Sequence, residues 1–135
     1  MSLFHLAINV TDLDETRAFY TDILGAKEGR YTDTWVDFDF FGHQLSCHLG
    51  VPLQHADTGK VGDHMVPMPH FGVVLPMPQW RDLAARLEGK VTFALSPQIR
   101  FSGEPGEQGT MFFFDPSGNP IEIKGIENFD QAFAT

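Results

Sequence analysis

The chain has 135 residues, 42% hydrophobic content, 13 Phe, one Cys and a formal net charge of −9. That length supports a single domain with its own core, one cysteine excludes an internal disulfide framework, and no apolar run approaches the roughly 18 residues of a membrane span. The acidic balance argues against nucleic acid and anionic membrane surfaces, which reward clustered Lys and Arg. The N-terminus, MSLFHLAINV, has no basic region ahead of a long apolar core, so a soluble cytoplasmic protein is the expectation.

Residues 3–10, LFHLAINV, alternate as a half-buried strand does, with Phe4, Leu6, Ile8 and Val10 on one face and His5, Ala7 and Asn9 on the other. Asp12 followed by Glu15 reads as a helix cap, and Leu13, Tyr20, Ile23 and Leu24, with Phe19 alongside, form a helical stripe that Gly25 ends. Strands are predicted over 28–31, 34–40 and, after a turn at Gly42, 43–49. In the last of these Leu45, Cys47 and Leu49 form one face and Gln44, Ser46 and His48 the other. Cys47, on the apolar parity, reads as a small buried hydrophobe.

Residues 51–67 are rich in Pro, Gly, Asp and His and show no sustained period, so they read as a linker in which His55 and His64 are solvated. A new strand follows over 70–75, with Phe71, Val73 and Leu75 opposing His70, Gly72 and Val74. Pro78 opens a second helix with the stripe Trp80, Leu83, Ala84 and Leu87, closed by Gly89. Further strands are predicted near 91–101, 110–115 and 119–124, the first two separated by the glycine-rich loop SGEPGEQG.

Both halves thus read as strand, helix and three strands, an internal duplication with a period of about 65 residues. The predicted architecture is α+β: one domain made of module 1–50 and module 68–126 joined by linker 51–67, each module curling its sheet around a concave face. His5 and His70 occupy matching places in the two first strands. The matching fourth strands carry Glu122 in one half and the Gln44, Ser46, His48 face in the other.

Glu122 is the anomaly of the second half. Ile121 and Ile123 point to one face, which sends a lone carboxylate to the other, where it needs solvent, a cation or a metal. Two histidines and one carboxylate on the polar faces of otherwise apolar strands have the composition of a facial triad for a divalent metal: iron, manganese, nickel or zinc. Such a triad leaves coordination positions open, so a substrate with two adjacent oxygens can chelate a metal that acts as Lewis acid or activates dioxygen. His48 is the candidate acid–base group, with a fourth-ligand or surface role as alternatives. His43 reads as a turn or packing residue. Arg100, ahead of the glycine-rich loop, reads as a carboxylate binder or an ion-pair partner. Either Phe112 and Phe114 or Met111 and Phe113 face the cavity; Phe113 is taken as the aromatic wall and Gln44 as a further substrate contact. No phosphate loop, dinucleotide fingerprint or Ser-His-Asp elbow is present.

The stretches FHLAINVTDLDETRAFYTDILG and FFFDPSGNPIEIKG resemble the vicinal oxygen chelate superfamily, which holds glyoxalase I, extradiol ring-cleavage dioxygenases, fosfomycin-resistance proteins and bleomycin-binding proteins. The similarity covers nearly the whole chain. TDTWVDFDFFGHQLSCHL, PHFGVVL and RFSGEPGEQGTMFFFDPSGNPIEIK are more specifically similar to small bacterial proteins described as dioxygenases of the extradiol type. The resemblance implies two βαβββ modules with curved mixed sheets around a cleft, metal ligands at His5, His70 and Glu122, Fe(II) ahead of Mn, Ni or Zn, and a catechol-like substrate. It also implies a homodimer in which His5 of one subunit meets His70 and Glu122 of the other. Glyoxalase I generally adds a carboxylate ligand on the fourth strand, where this chain has Gln44 or, with the glycine turns matched, Ser46. A fosfomycin-resistance activity needs a cationic pocket for a phosphonate, which a net charge of −9 does not favour. An isomerase or thiol transferase, and a non-enzymatic protein that sequesters an aromatic compound, are the competing readings.

Overall fold

The computed structural model describes residues 1–133. Strand β1 (His5–Val10) leads into helix α1 (Leu13–Arg17), which continues as a π-helical segment over Ala18–Ile23, then into β2 (Lys27–Tyr31), β3 (Trp35–Phe40) and β4 (His43–Leu49). A hairpin, β5 (Ala56–Val61) and β6 (His64–Met68), comes next. It is followed by β7 (Phe71–Pro76), α2 (Met77–Leu87), β8 (Phe93–Arg100), β9 (Gln108–Phe114), β10 (Pro120–Ile126) and a short 3-10 turn at Phe129–Gln131. The two halves repeat one βαβββ topology, with sheet orders β1-β4-β3-β2 and β7-β10-β9-β8. In each mixed sheet the first strand runs parallel to the fourth and the remaining neighbours are antiparallel. No helix among the described residues is long and apolar enough to cross a membrane.

The chain forms two compact units. The first holds Met1–Gln54 together with the turn Asp115–Asn119; the second holds His55–Phe114 and Pro120 onward.

In the first unit the alternation of β3 and β4 sends Val36, Phe38, Phe40, Leu45 and Cys47 into a core shared with Val10, Phe19, Tyr20 and Leu24. Asp12 caps α1, its Oδ1 accepting from the Glu15 amide at 2.8 Å. Tyr20, fully buried, packs its ring 5.3 Å from Phe38 and donates its hydroxyl to Asp115 Oδ2 at 2.8 Å. Asp115 is itself buried, and its carboxylate also accepts from the amides of Ser117 and Asn119 and from Asn119 Nδ2. A buried carboxylate is tolerated there because every oxygen is engaged.

In the second unit α2 lays Met77, Trp80, Leu83 and Leu87 into a core with Leu75, Met111, Phe113, Ile121 and Ile123. The Trp80 indole donates to the Ile123 carbonyl at 2.9 Å and lies over the paired Gly109 and Gly125, where an added Cβ would stand 2.7 Å from Trp80 atoms. On the other face of this sheet Val66 of the hairpin clusters with Leu95 and Phe112, with Val61 packed against them.

The linker expectation is therefore corrected: residues 56–68 are an ordered hairpin, turned at Gly62 (φ 58). Its strands escape a period-two reading because Val66 and Pro67 alone are buried in them, so no apolar alternation is needed. His55 stands exposed, with its ring stacked 5.6 Å from that of Phe114. His64 also stands exposed, with its Nε2 3.3 Å from Gln98 Nε2.

Candidate functional site

His70 sits between Pro69 and the first residue of β7, and Glu122 lies in the middle of β10. Glu122 pairs in register with Gly72 on one side and Phe112 on the other. Glycine at 72 lets the two strands close up: a Cβ there would overlap the Glu122 carbonyl. The result is a His–carboxylate contact of 3.1 Å between His70 Nε2 and Glu122 Oε1, in side chains 21% and 11% exposed.

Both groups are held from behind. His70 Nδ1 lies 2.7 Å from the Pro67 carbonyl oxygen. A carbonyl cannot donate, so Nδ1 carries the hydrogen and Nε2 is the nitrogen directed at Glu122. Thr110 Oγ1 donates to Glu122 Oε2 at 2.6 Å, and the His70 ring stands edge-on to Phe112 with centroids 4.8 Å apart. With a neutral imidazole, Nε2 and Oε1 are two lone-pair atoms facing each other, so a positive charge, proton or metal ion, is required between them. Two ligand atoms bound at about 2.1 Å and subtending a right angle stand about 3.0 Å apart. The pair therefore fits a divalent metal by donor type and separation, and the Pro67 and Thr110 contacts are the supporting bonds that metal-binding His and carboxylate groups require.

The pair opens onto a pocket of about 250 Å³. From the sheet come Arg100, Gln108, Thr110, Phe112, Glu122 and Lys124, and the hairpin closes the opposite side with Gly59, Lys60, Val61, Val66 and Met68. Register sets the rows: Glu122 lies beside Phe112, Lys124 beside Thr110, which pairs with Gln98, and Ile126 beside Gln108, which pairs with Arg100.

His70, Glu122 and Arg100 of the predicted site thus line one pocket. Phe113 does not. It is fully buried on the opposite face, opposite Ile121 and with its ring 6.2 Å from Phe93, and Phe112 takes the wall position. The two parities were equally apolar in sequence, and the register with Glu122 decides between them. Lys124 and Thr110 were missed although Lys124 shares the parity of Glu122. Lys60 had no sequence signal, because its strand was not recognised.

The other predicted residues lie on the polar face of the first sheet. His5 and Gln44 are neighbours in register and both exposed. His48 is half-buried and nearly parallel to the Trp35 ring at 6.0 Å. His43 Nδ1 accepts from the Phe4 amide at 3.3 Å, as a packing residue would. Ala7 pairs with Ser46 just as Gly72 pairs with Glu122, each two residues after a first-strand histidine, so Ser46 and not Gln44 is the counterpart of Glu122. Ser46 Oγ donates to Asp37 Oδ1 at 2.5 Å. Among the described residues no group of three His, Cys, Asp or Glu side chains stands ready to hold a metal, so the structure assembles the His70–Glu122 pair alone. Cys47 is fully buried, and burial, followed by the charges of Asp115 and Asp37, pushes its thiol up, which leaves it inert.

A family model described as the glyoxalase/bleomycin resistance protein/dioxygenase superfamily matches residues 2–123. A glyoxalase/bleomycin resistance protein/dioxygenase from Alicyclobacillus acidocaldarius is 34% identical, with 99% of this chain and 96% of that chain covered at a TM-score of 0.74. The genomically encoded fosfomycin resistance protein of Listeria monocytogenes shares the fold at 20% identity, covering 97% of each chain with a TM-score of 0.70. A glyoxalase family protein from Bacillus anthracis does so at 13% identity, covering 93% and 95%, with a TM-score of 0.63. Comparison with the curated proteins gives no match. The repeated βαβββ topology, the family model over most of the chain and the 34% identical structure together show that this chain belongs to the glyoxalase/bleomycin resistance protein/dioxygenase superfamily.

Proposed function

We propose that the chain is a metal-dependent enzyme of the oxygenase type, acting on a small molecule with two vicinal oxygens such as a catechol-like diol and opening its ring in the extradiol manner. The observation that carries this reading is the His70–Glu122 contact of 3.1 Å, braced by Pro67 and Thr110 and open to a pocket. A pocket of about 250 Å³ suits a ligand smaller than drug size, and Phe112 and Val66 give it an apolar wall for a ring.

Under this reading His70 and Glu122 are metal ligands and His5 is the third, assigned from its place in the repeat. The nitrogen and oxygen donors suit Fe(II), Mn, Ni or Zn alike, and Fe(II) is proposed first on the resemblance to extradiol dioxygenases. A metal held there would supply Lewis acidity toward the vicinal oxygens and the means to activate dioxygen. The chain's own residues do the rest. The Pro67 carbonyl fixes the His70 ring, Thr110 fixes the Glu122 carboxylate, the hairpin and Phe112 exclude water, and the His48 imidazole takes a proton from a substrate hydroxyl. Gln44 is proposed as a substrate contact, and a cytoplasmic homodimer as the working form.

The isomerase reading is disfavoured by Ser46, which stands where that chemistry wants a carboxylate. The test is anaerobic purification, metal analysis, and oxygen uptake with Fe(II) and a panel of catechols. Stoichiometric iron, oxygen consumption and a new ring-fission absorbance are expected. Nickel or zinc without oxygen uptake would select the isomerase or transferase, and metal-independent ligand binding would select a sequestering protein.

A further inference from the structure

We infer that the substrate of this pocket carries an anionic group, a carboxylate or phosphonate, in addition to the oxygens that meet the metal-binding pair; this rests on the metal-site reading above. The chain has only nine Lys and Arg against 18 Asp and Glu, yet Lys60, Arg100 and Lys124 all line one small pocket. They come from three separate strands, β5, β8 and β10, so no local run of charge explains their convergence.

The lining contains one carboxylate, Glu122, and both of its oxygens are engaged, by His70 and Thr110. Among the described residues no carboxylate lies within ion-pair distance of Lys60, Arg100 or Lys124. Arg100 makes a different contact, its guanidinium 5.0 Å from the Phe101 ring centroid. Three like charges lining one pocket, two of them on exposed lysines, repel one another, and an anion placed among them reverses the sign of that interaction.

Register gives the anion a position. Lys124 follows Glu122 by two residues on the same face of β10, about 7 Å along the strand. Arg100 and the Gln108 amide occupy the next row out, and Lys60 closes from the hairpin. The substrate is thus a small diol whose carboxylate or phosphonate lies on the Lys124 and Arg100 side of the chelating oxygens. The hairpin that carries Lys60 belongs to the anion site as well as to the wall.

The experiment compares binding of 3,4-dihydroxyphenylacetate, its neutral amide, and phenylacetate, which lacks the diol, by calorimetry on metal-loaded protein at low and high salt. The acid is expected to bind about tenfold tighter than the amide, with an advantage that shrinks at high salt and disappears in the Arg100→Gln/Lys124→Gln variant. Equal binding of acid and amide, an advantage that survives in that variant, or no binding of the acid would overturn the inference. The matched arylphosphonate distinguishes the two anions. Phenylacetate binding that depends on Arg100 and Lys124, with no gain from the diol, leaves the anion site standing and removes the chelation reading. A diol preference lost in Glu122→Gln with no preference for the acid does the reverse. Lys60→Gln, on an exposed hairpin position, checks the third charge with little risk to folding.

Discussion

Gly72 and Glu122 face each other across β7 and β10 with no room for a side chain between them: a Cβ on Gly72 would overlap the Glu122 carbonyl. The position in the first sheet that corresponds to Gly72 is Ala7, opposite Ser46, so the tight approach belongs to the strand pair that carries the carboxylate. Gly72→Ala should force the strands apart, lower stability by about 3 kcal/mol and move Glu122 away from His70. Thermal unfolding and metal content measured together check this. A variant that keeps both would show that the close approach is not needed.

Thr110 touches Glu122 and not the proposed metal position, which makes it a positioning residue under the metal-site reading. Thr110→Val keeps the shape and removes the 2.6 Å bond to Oε2. Metal affinity should fall by about 10- to 100-fold while the fold is retained. Glu122→Ala should abolish metal retention altogether. Competition with a metal chelator at fixed pH reads both, and equal affinities for Thr110→Val and the parent would remove Thr110 from the site.

Phe112 and Phe113 are adjacent, both fully buried, and on opposite faces of β9. Phe112→Leu should weaken binding of an aromatic ligand several-fold, because the ring lines the pocket and braces His70 edge-on. Phe113→Leu should cost about 1–2 kcal/mol of stability and leave ligand affinity unchanged. Ligand titrations and denaturant melts of the two variants, side by side, check the assignment, which fails if Phe113→Leu weakens binding as much as Phe112→Leu.

Alkaline pH should destabilise the first unit. Burial, then the Asp115 charge, pushes the Tyr20 hydroxyl well above its ordinary value of 10.0, and burial likewise raises Cys47 above 9.0. Both groups stay protonated in the folded chain where the unfolded chain has lost the proton. Their contribution is therefore complete below about pH 9 and declines as pH rises through and beyond the ordinary values. Tyr20→Phe should lower stability near neutrality by about 2 kcal/mol, through the lost bond to Asp115, yet flatten the alkaline decline. Melting temperature against pH for parent and variant checks the sign, and a parent curve that is flat above pH 10 would contradict it.

Sequence pattern alone determined the duplication, the strand–helix–three-strand order of each half and the singular position of Glu122. These are local properties: period-two alternation, a capping Asp and a carboxylate between two isoleucines can be read without knowing what lies across the sheet. His70 was legible by the same logic, as the repeat partner of His5. Which phenylalanine faces the pocket was a different question, because both parities of Met111–Phe114 are apolar and only the pairing of Phe112 with Glu122 settles it. The match of Ser46, and not Gln44, to Glu122 likewise depends on inter-strand register. The hairpin at 56–68 buries so little of itself that no periodicity announces it, yet it closes the pocket and brings in Lys60. Tertiary structure alone decided where three cations from three strands of an acidic chain meet, since pairing between distant strands, and not any run of sequence, brings Lys60, Arg100 and Lys124 around one recess.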